Sequence, residues 1–79
     1  MGLDDMYVIT IRQQKIEVII RVFPNQRICA ALHTLKVNGH ILGKVDKLLV
    51  FSKRRQEFLN QKMTFREAGI YDGDTLELQ

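Results

Sequence analysis

The chain of 79 residues has one cysteine, one proline and no tryptophan, and nowhere does it approach the ~18 consecutive apolar residues of a membrane helix. Each shortage closes a class. A lone thiol, Cys29, cannot form an internal disulfide, so the chain is not a disulfide-stapled secreted scaffold and suits a reducing, cytoplasmic setting. The start, Met1-Gly2-Leu3-Asp4-Asp5, is acidic and has neither a basic nor an apolar region, so no secretory signal is expected. Met6 stands where a myristoylation motif wants Ser or Thr. There is no repeat and no low-complexity segment.

What is present is ordinary globular composition, 46% hydrophobic and 27% charged. The formal charge is +3, and the excess gathers in mid-chain. Lys53, Arg54, Arg55 and Lys62 form a candidate basic patch, with Lys44 and Lys47 nearby in sequence. Such a patch suits a solvated loop, an anionic protein partner or nucleic acid.

Two strands open the chain. Tyr7 to Arg12 alternates, with Tyr7, Ile9 and Ile11 facing inward and Val8, Thr10 and Arg12 outward. Ile16 to Val22 does the same, with Val18, Ile20 and Val22 inward and Glu17, Ile19 and Arg21 outward. A one-residue slip would flip every side chain, so Ile11 must oppose Ile16 or Val18. The second register pairs Arg12 with Glu17 and is preferred, with a longer connecting loop expected. Phe23-Pro24-Asn25 then ends the strand, and Asn25 is the expected N-cap of a helix over residues 26–38. Ile28, Ala31, Leu32 and Leu35 form its apolar stripe, and Gly39 ends it. Residues 47–52 read as a third strand, and Glu57-Phe58-Leu59 as a short fourth.

The last seventeen residues are the most explicit. Thr64-Phe65-Arg66-Glu67 is a capping box, Gly69 a left-handed stop and Ile70 an inward residue. Tyr71-Asp72-Gly73-Asp74 is a tight turn, and Thr75-Leu76-Glu77-Leu78 a half-buried final strand. The whole is an α+β domain over residues 6–79 behind a flexible segment 1–5. It has a mixed sheet with one helix packed on one face, and the first and last strands lie central.

Leu49-Val50-Phe51 before a charged turn, with the ending from Thr64 to Leu78, resembles the β-grasp, or ubiquitin-like, fold. Met6 to Ile11 and Ala68 to Leu78 resemble the small YukD/EsaB ubiquitin-like proteins of bacterial type VII (ESX-like) secretion systems. That resemblance implies a cytosolic, non-enzymatic accessory acting by protein contact. The sequence ends Glu77-Leu78-Gln79 without a diglycine, so covalent conjugation is not expected.

No set of catalytic groups can be assembled. Gly39 to Lys44 has the wrong spacing for a phosphate loop. Cys29 and His33 are helix neighbours but only two ligands, and Asp72 and Asp74 are explained by turn chemistry. No cofactor and no metal are expected. The outward sheet face is the candidate site: Val8, Ile19 and Val50, rimmed by Arg12, Arg21 and Lys47, for a protein partner that is a secretion-system component or a second copy of the chain. A small basic nucleic-acid binder using Lys53, Arg54, Arg55 and Lys62 is the competing reading.

Overall fold

The computed structural model describes residues 5–79. The expectations for Met1 to Asp4 lie outside the described residues. Strand β1 (Tyr7–Gln13) pairs antiparallel with β2 (Ile16–Val22), with Ile11 opposite Val18 and Arg12 opposite Glu17, the preferred register. The longer loop does not form. The ladder continues to Gln13 opposite Ile16 and leaves only Gln14-Lys15, with Gln14 at φ +52°. Gln13 accounts for this. Its buried amide donates from Nε2 to the Leu42 carbonyl (2.8 Å) and accepts at Oε1 from the Leu42 N–H (2.7 Å), which holds the residue in the strand.

Helix α1 (Ile28–Val37) is shorter than expected, and Asn25 does not cap it. Phe23 to Gln26 forms a turn closed by a bond from the Gln26 N–H to the Phe23 carbonyl (3.0 Å). The Ile28 and Cys29 N–H groups donate to the Met63 and Gln61 carbonyls (3.0 Å each). First-turn donors that are satisfied by a distant segment need no side-chain cap. The far end follows expectation. Gly39 at φ +76° lets its own N–H reach the Lys36 carbonyl (3.0 Å) and the His40 N–H reach the Leu35 carbonyl (2.9 Å), a Schellman ending.

Val45–Lys47 winds one 3-10 turn, which shortens the third strand to β3 (Val50–Ser52). Gln61 holds that turn by donating from Nε2 to the carbonyls of Val45 (2.8 Å) and Leu48 (2.7 Å). Strand β4 (Glu57–Leu59) pairs antiparallel with β3, and β5 (Thr75–Leu78) closes the sheet. The strand order is β2-β1-β5-β3-β4, with β5 central and parallel to its neighbour β1. The capping box forms in both directions. The Thr64 N–H donates to Glu67 Oε1 (2.9 Å), and the Glu67 N–H donates to Thr64 Oγ1 (3.0 Å).

The core lies between the helix and one sheet face. Ile9, Ile11, Val22, Val50, Leu76 and Leu78 meet Ile28, Ala31, Leu32 and Leu35, and Phe65 and Ile70 join the same cluster. Burying one such side chain contributes roughly 1.5–3 kcal/mol. The net stability of a domain this size is only ~3–5 kcal/mol, so each contact counts.

Candidate interaction surface

The face turned away from α1 carries the outward residues of all five strands. On its β2–β1 side, Ile19 is 67% exposed and Val8 40%. Thr10 stands opposite Ile19, and Arg21 opposite Val8, so the two apolar residues are diagonal neighbours. On the β3–β4 side, Phe51 stands opposite Phe58 with the rings edge-on at 5.1 Å, and Leu49 is exposed at the end of the strand. Between these two apolar poles runs a polar strip. Thr10 is beside Thr75, Arg12 beside Glu77, and Glu77 beside Phe51.

Two of the six residues expected for this surface, Val50 and Lys47, need correction. Val50 is 1% exposed and belongs to the core. Leu48 to Phe51 is an unbroken apolar run without alternation, so the strand's phase was not readable from it. Pairing with β5 sets the phase: Val50 opposes the buried Leu78, and Phe51 opposes Glu77. The outward residue of β3 is therefore Phe51. Lys47 is exposed but sits in the 3-10 turn, not on a strand of the face. Arg12 is on the face as expected and pairs with Glu17 at 3.0 Å. Arg21 makes no ion pair among the described residues. Phe51, Phe58 and Leu49 are not among the residues expected on this surface. The signal that could have found Phe51 and Phe58 is their symmetric placement about the turn Lys53 to Gln56, which makes them cross-strand partners.

The candidate basic patch is divided by its bonds. Arg54 donates to both carboxylate oxygens of Asp74, at 2.8 and 3.0 Å, and also to the Gly69 carbonyl. Its guanidinium lies 5.3 Å from the centre of the Tyr71 ring. Arg55 donates to the Ala68 carbonyl (2.7 Å) and pairs with Glu57 (2.9 Å). Both arginines thus clasp the β3–β4 turn to the segment 68–74. Lys53 and Lys62 remain exposed cations without an ion pair among the described residues.

Asp74 is almost wholly buried. Burial pushes its pKa up, but hydrogen bonds from Arg54 and from the Tyr71 N–H outweigh that and hold the carboxyl below its ordinary value. Asp72 accepts from the Val8 N–H (2.7 Å). Both carboxylates are therefore engaged in holding the turn and the adjoining strand.

Two grooves flank the helix. One, of about 440 Å³, lies between β2 and α1 and is lined by Val18, Ile20, Leu35, Arg21, Thr34 and His40. The other, also about 440 Å³, takes in Cys29, His33, Leu48, Leu59 and Lys62. Among the described residues no group of three or more His, Cys, Asp or Glu side chains is placed to hold a metal ion.

No protein-family model matches the chain, and no curated protein does. Solved structures do. The ubiquitin-like domain of Arabidopsis thaliana protein At2g32350 superposes with a TM-score of 0.77 at 8% identity, covering 94% of this chain and 76% of that one. Caldiarchaeum subterraneum ubiquitin gives 0.73 at 18% identity, covering 92% and 90%. ATBAG1, solved in complex with HSP70, gives 0.75 at 15% identity, and the match spans 94% of this chain but 40% of that one. At such identities the likeness speaks for architecture alone. A five-stranded mixed sheet of order β2-β1-β5-β3-β4 with one helix across it, matched nearly end to end by these structures, is the ubiquitin-like β-grasp fold.

Proposed function

We propose that the chain is a non-enzymatic protein-interaction module that acts in the cytoplasm as an accessory of a bacterial type VII (ESX-like) secretion system. One observation carries the interaction reading: the sheet face opposite the helix exposes Ile19 and Val8 at one pole and, beside the half-buried Phe51, Leu49 and Phe58 at the other. Exposed apolar residues grouped on one face with polar residues between them suit a protein interface. The secretion assignment rests on the resemblance of Met6 to Ile11 and Ala68 to Leu78 to the YukD/EsaB proteins. Arg54 and Arg55 are engaged in the fold, which leaves a nucleic-acid reading with only Lys53 and Lys62 of its four cations.

The test is affinity capture with Val8→Asp and Phe58→Asp beside the parent chain. Both side chains are exposed, so circular dichroism should stay unchanged. The parent should enrich a component of the secretion apparatus, identified by mass spectrometry, and each variant should lose most of it. Equal recovery by all three proteins would sink the sheet-face reading. Recovery of partners with no link to secretion would sink the assignment to that system.

A further inference from the structure

The two edges of the sheet are unequal. Strand β4 is three residues long, whereas β2 runs seven residues without proline, glycine, lysine or a bulge. Proteins normally blunt a long edge strand with such features, because its unpaired backbone groups invite another strand. The backbone groups left open on β2 can be named. The Thr10 N–H donates to the Asp74 carbonyl (3.0 Å), the Val8 carbonyl accepts from the Gly73 N–H (2.8 Å), and the Val8 N–H donates to Asp72 (2.7 Å). Thr10 and Val8 therefore turn their peptide groups toward the β5 side. Their β2 partners, Ile19 and Arg21, must turn theirs to the open edge, and by the alternation of an antiparallel ladder so must Glu17.

These three residues also carry the side-chain pattern that fits the same strand from another molecule. We propose that β2 is a homodimerisation edge, and that a second copy of this chain pairs with it antiparallel about a two-fold axis at Ile19. In that register Ile19 faces Ile19 of the partner subunit. Glu17 faces the partner's Arg21, and Arg21 faces the partner's Glu17. On the opposite face Val18 meets the partner's Ile20. Every outward-turned peptide group of Glu17, Ile19 and Arg21 gains a hydrogen-bond partner, six bonds in all by the ladder geometry. A register centred on Val18 would set Arg21 against the partner's Lys15, and one centred on Ile20 would set the Arg21 charge against Ile19. Opposite charges directly across a strand pair stabilise it and like charges oppose it. The central register is thus the one that satisfies backbone and charge together. It joins two five-stranded sheets into one of ten strands, with both helices on the same face. The grooves between β2 and α1 in the two subunits then lie side by side. This inference shares Ile19 and Arg21 with the surface above but is carried by the open backbone groups of the sheet edge, and the charge reversals that test it leave Val8 and Phe58 untouched.

Sedimentation equilibrium over a concentration series, with amide hydrogen exchange, tests it. The parent chain should dimerise as concentration rises, and the Glu17, Ile19 and Arg21 amides should slow in step. Glu17→Arg and Arg21→Glu should each weaken dimerisation at least about tenfold, because each sets like charges opposite each other twice. Mixed in equal amounts, the two variants should form a heterodimer as tight as the parent dimer, and the double variant should dimerise by itself. Rescue by mixing excludes simple misfolding. A parent chain that stays monomeric throughout would overturn the proposal. So would a dimer indifferent to both charge reversals, or β2 amides protected only on adding a different protein.

Discussion

The β1–β2 and β3–β4 hairpins stand on either side of the central strand β5. The first has seven cross-strand pairs and a two-residue turn. The second has three pairs and a four-residue turn that leans on groups far along the chain: Arg54 on Asp74 and Gly69, Arg55 on Ala68. In the first hairpin, order comes from a ladder and a row of half-buried and buried side chains, so the stabilisation is spread over many small terms. In the second, a few side-chain bonds to backbone and carboxylate do the same task. Concentrated support is more easily broken, and substitutions should cost more on the β3–β4 side than on the β1–β2 side at similar exposure.

The sharpest break should come at Gly69. Its φ is +74°, and a Cβ built there would overlap Arg55 Nη1. Gly69→Ala therefore adds backbone strain of about 1–2 kcal/mol and displaces a guanidinium that bonds to Ala68, a further ~1 kcal/mol. A total loss of about 2–3 kcal/mol in denaturant titration is expected, most of the stability available to such a domain. A loss below about 0.5 kcal/mol would mean that the clasp contributes little and that the two hairpins do not differ in this way.

Next in size is Asp74→Asn. It keeps the shape of the side chain but removes the charge that holds Arg54, for an expected loss of about 1–2 kcal/mol. The acid dependence should change with it. Because the folded carboxyl titrates below its ordinary value, its contribution is complete above the unfolded pKa of about 3.9 and fades as pH falls through the lower folded value. Glu67 acts in the same direction, held low by the bond from the Thr64 N–H and then by the Thr64 hydroxyl. Thermal melts between neutral pH and strong acid should show a shallower acid decline in Asp74→Asn than in the parent. An unchanged decline would place the acid sensitivity elsewhere.

The same contrast separates what was legible in the sequence from what was not. The β1–β2 register follows from alternation within a dozen residues and from the Arg12–Glu17 pair, so it could be read in advance. The capping box, Gly69, Ile70 and the Asp72-Gly73-Asp74 turn are local too, and they form as expected. The start of α1 was misread because its first donors are met by carbonyls of Gln61 and Met63, more than thirty residues away. Arg54 and Arg55 read as a surface charge run because their partners lie 13 to 20 residues downstream. For the candidate surface, Val8 and Ile19 alternate with buried or half-buried neighbours, which puts them on the outward face. Val50 was misplaced and Phe51 overlooked because a continuous apolar run carries no phase until its partner strand is known.

The smallest expected effect lies in the regular hairpin and has the opposite sign. Gln14 holds φ +52° in the two-residue turn, a conformation in which a side chain costs about 1 kcal/mol and glycine costs nothing of the kind. Gln14→Gly removes that strain but gives the unfolded chain more freedom, which returns about half of the gain. The net should be a stabilisation on the order of 0.5 kcal/mol, read as a small rise in the denaturant midpoint at constant slope. The turn stays fixed because Gln13 remains bonded to Leu42 on one side of it. Gly69→Ala and Gln14→Gly are thus mirror experiments at two positive-φ positions. Glycine should be indispensable where a guanidinium packs over the backbone, and merely an improvement where a long ladder already determines the turn. A destabilised Gln14→Gly would show that the β1–β2 hairpin also depends on a side chain in its turn, and the contrast between the two hairpins would fall.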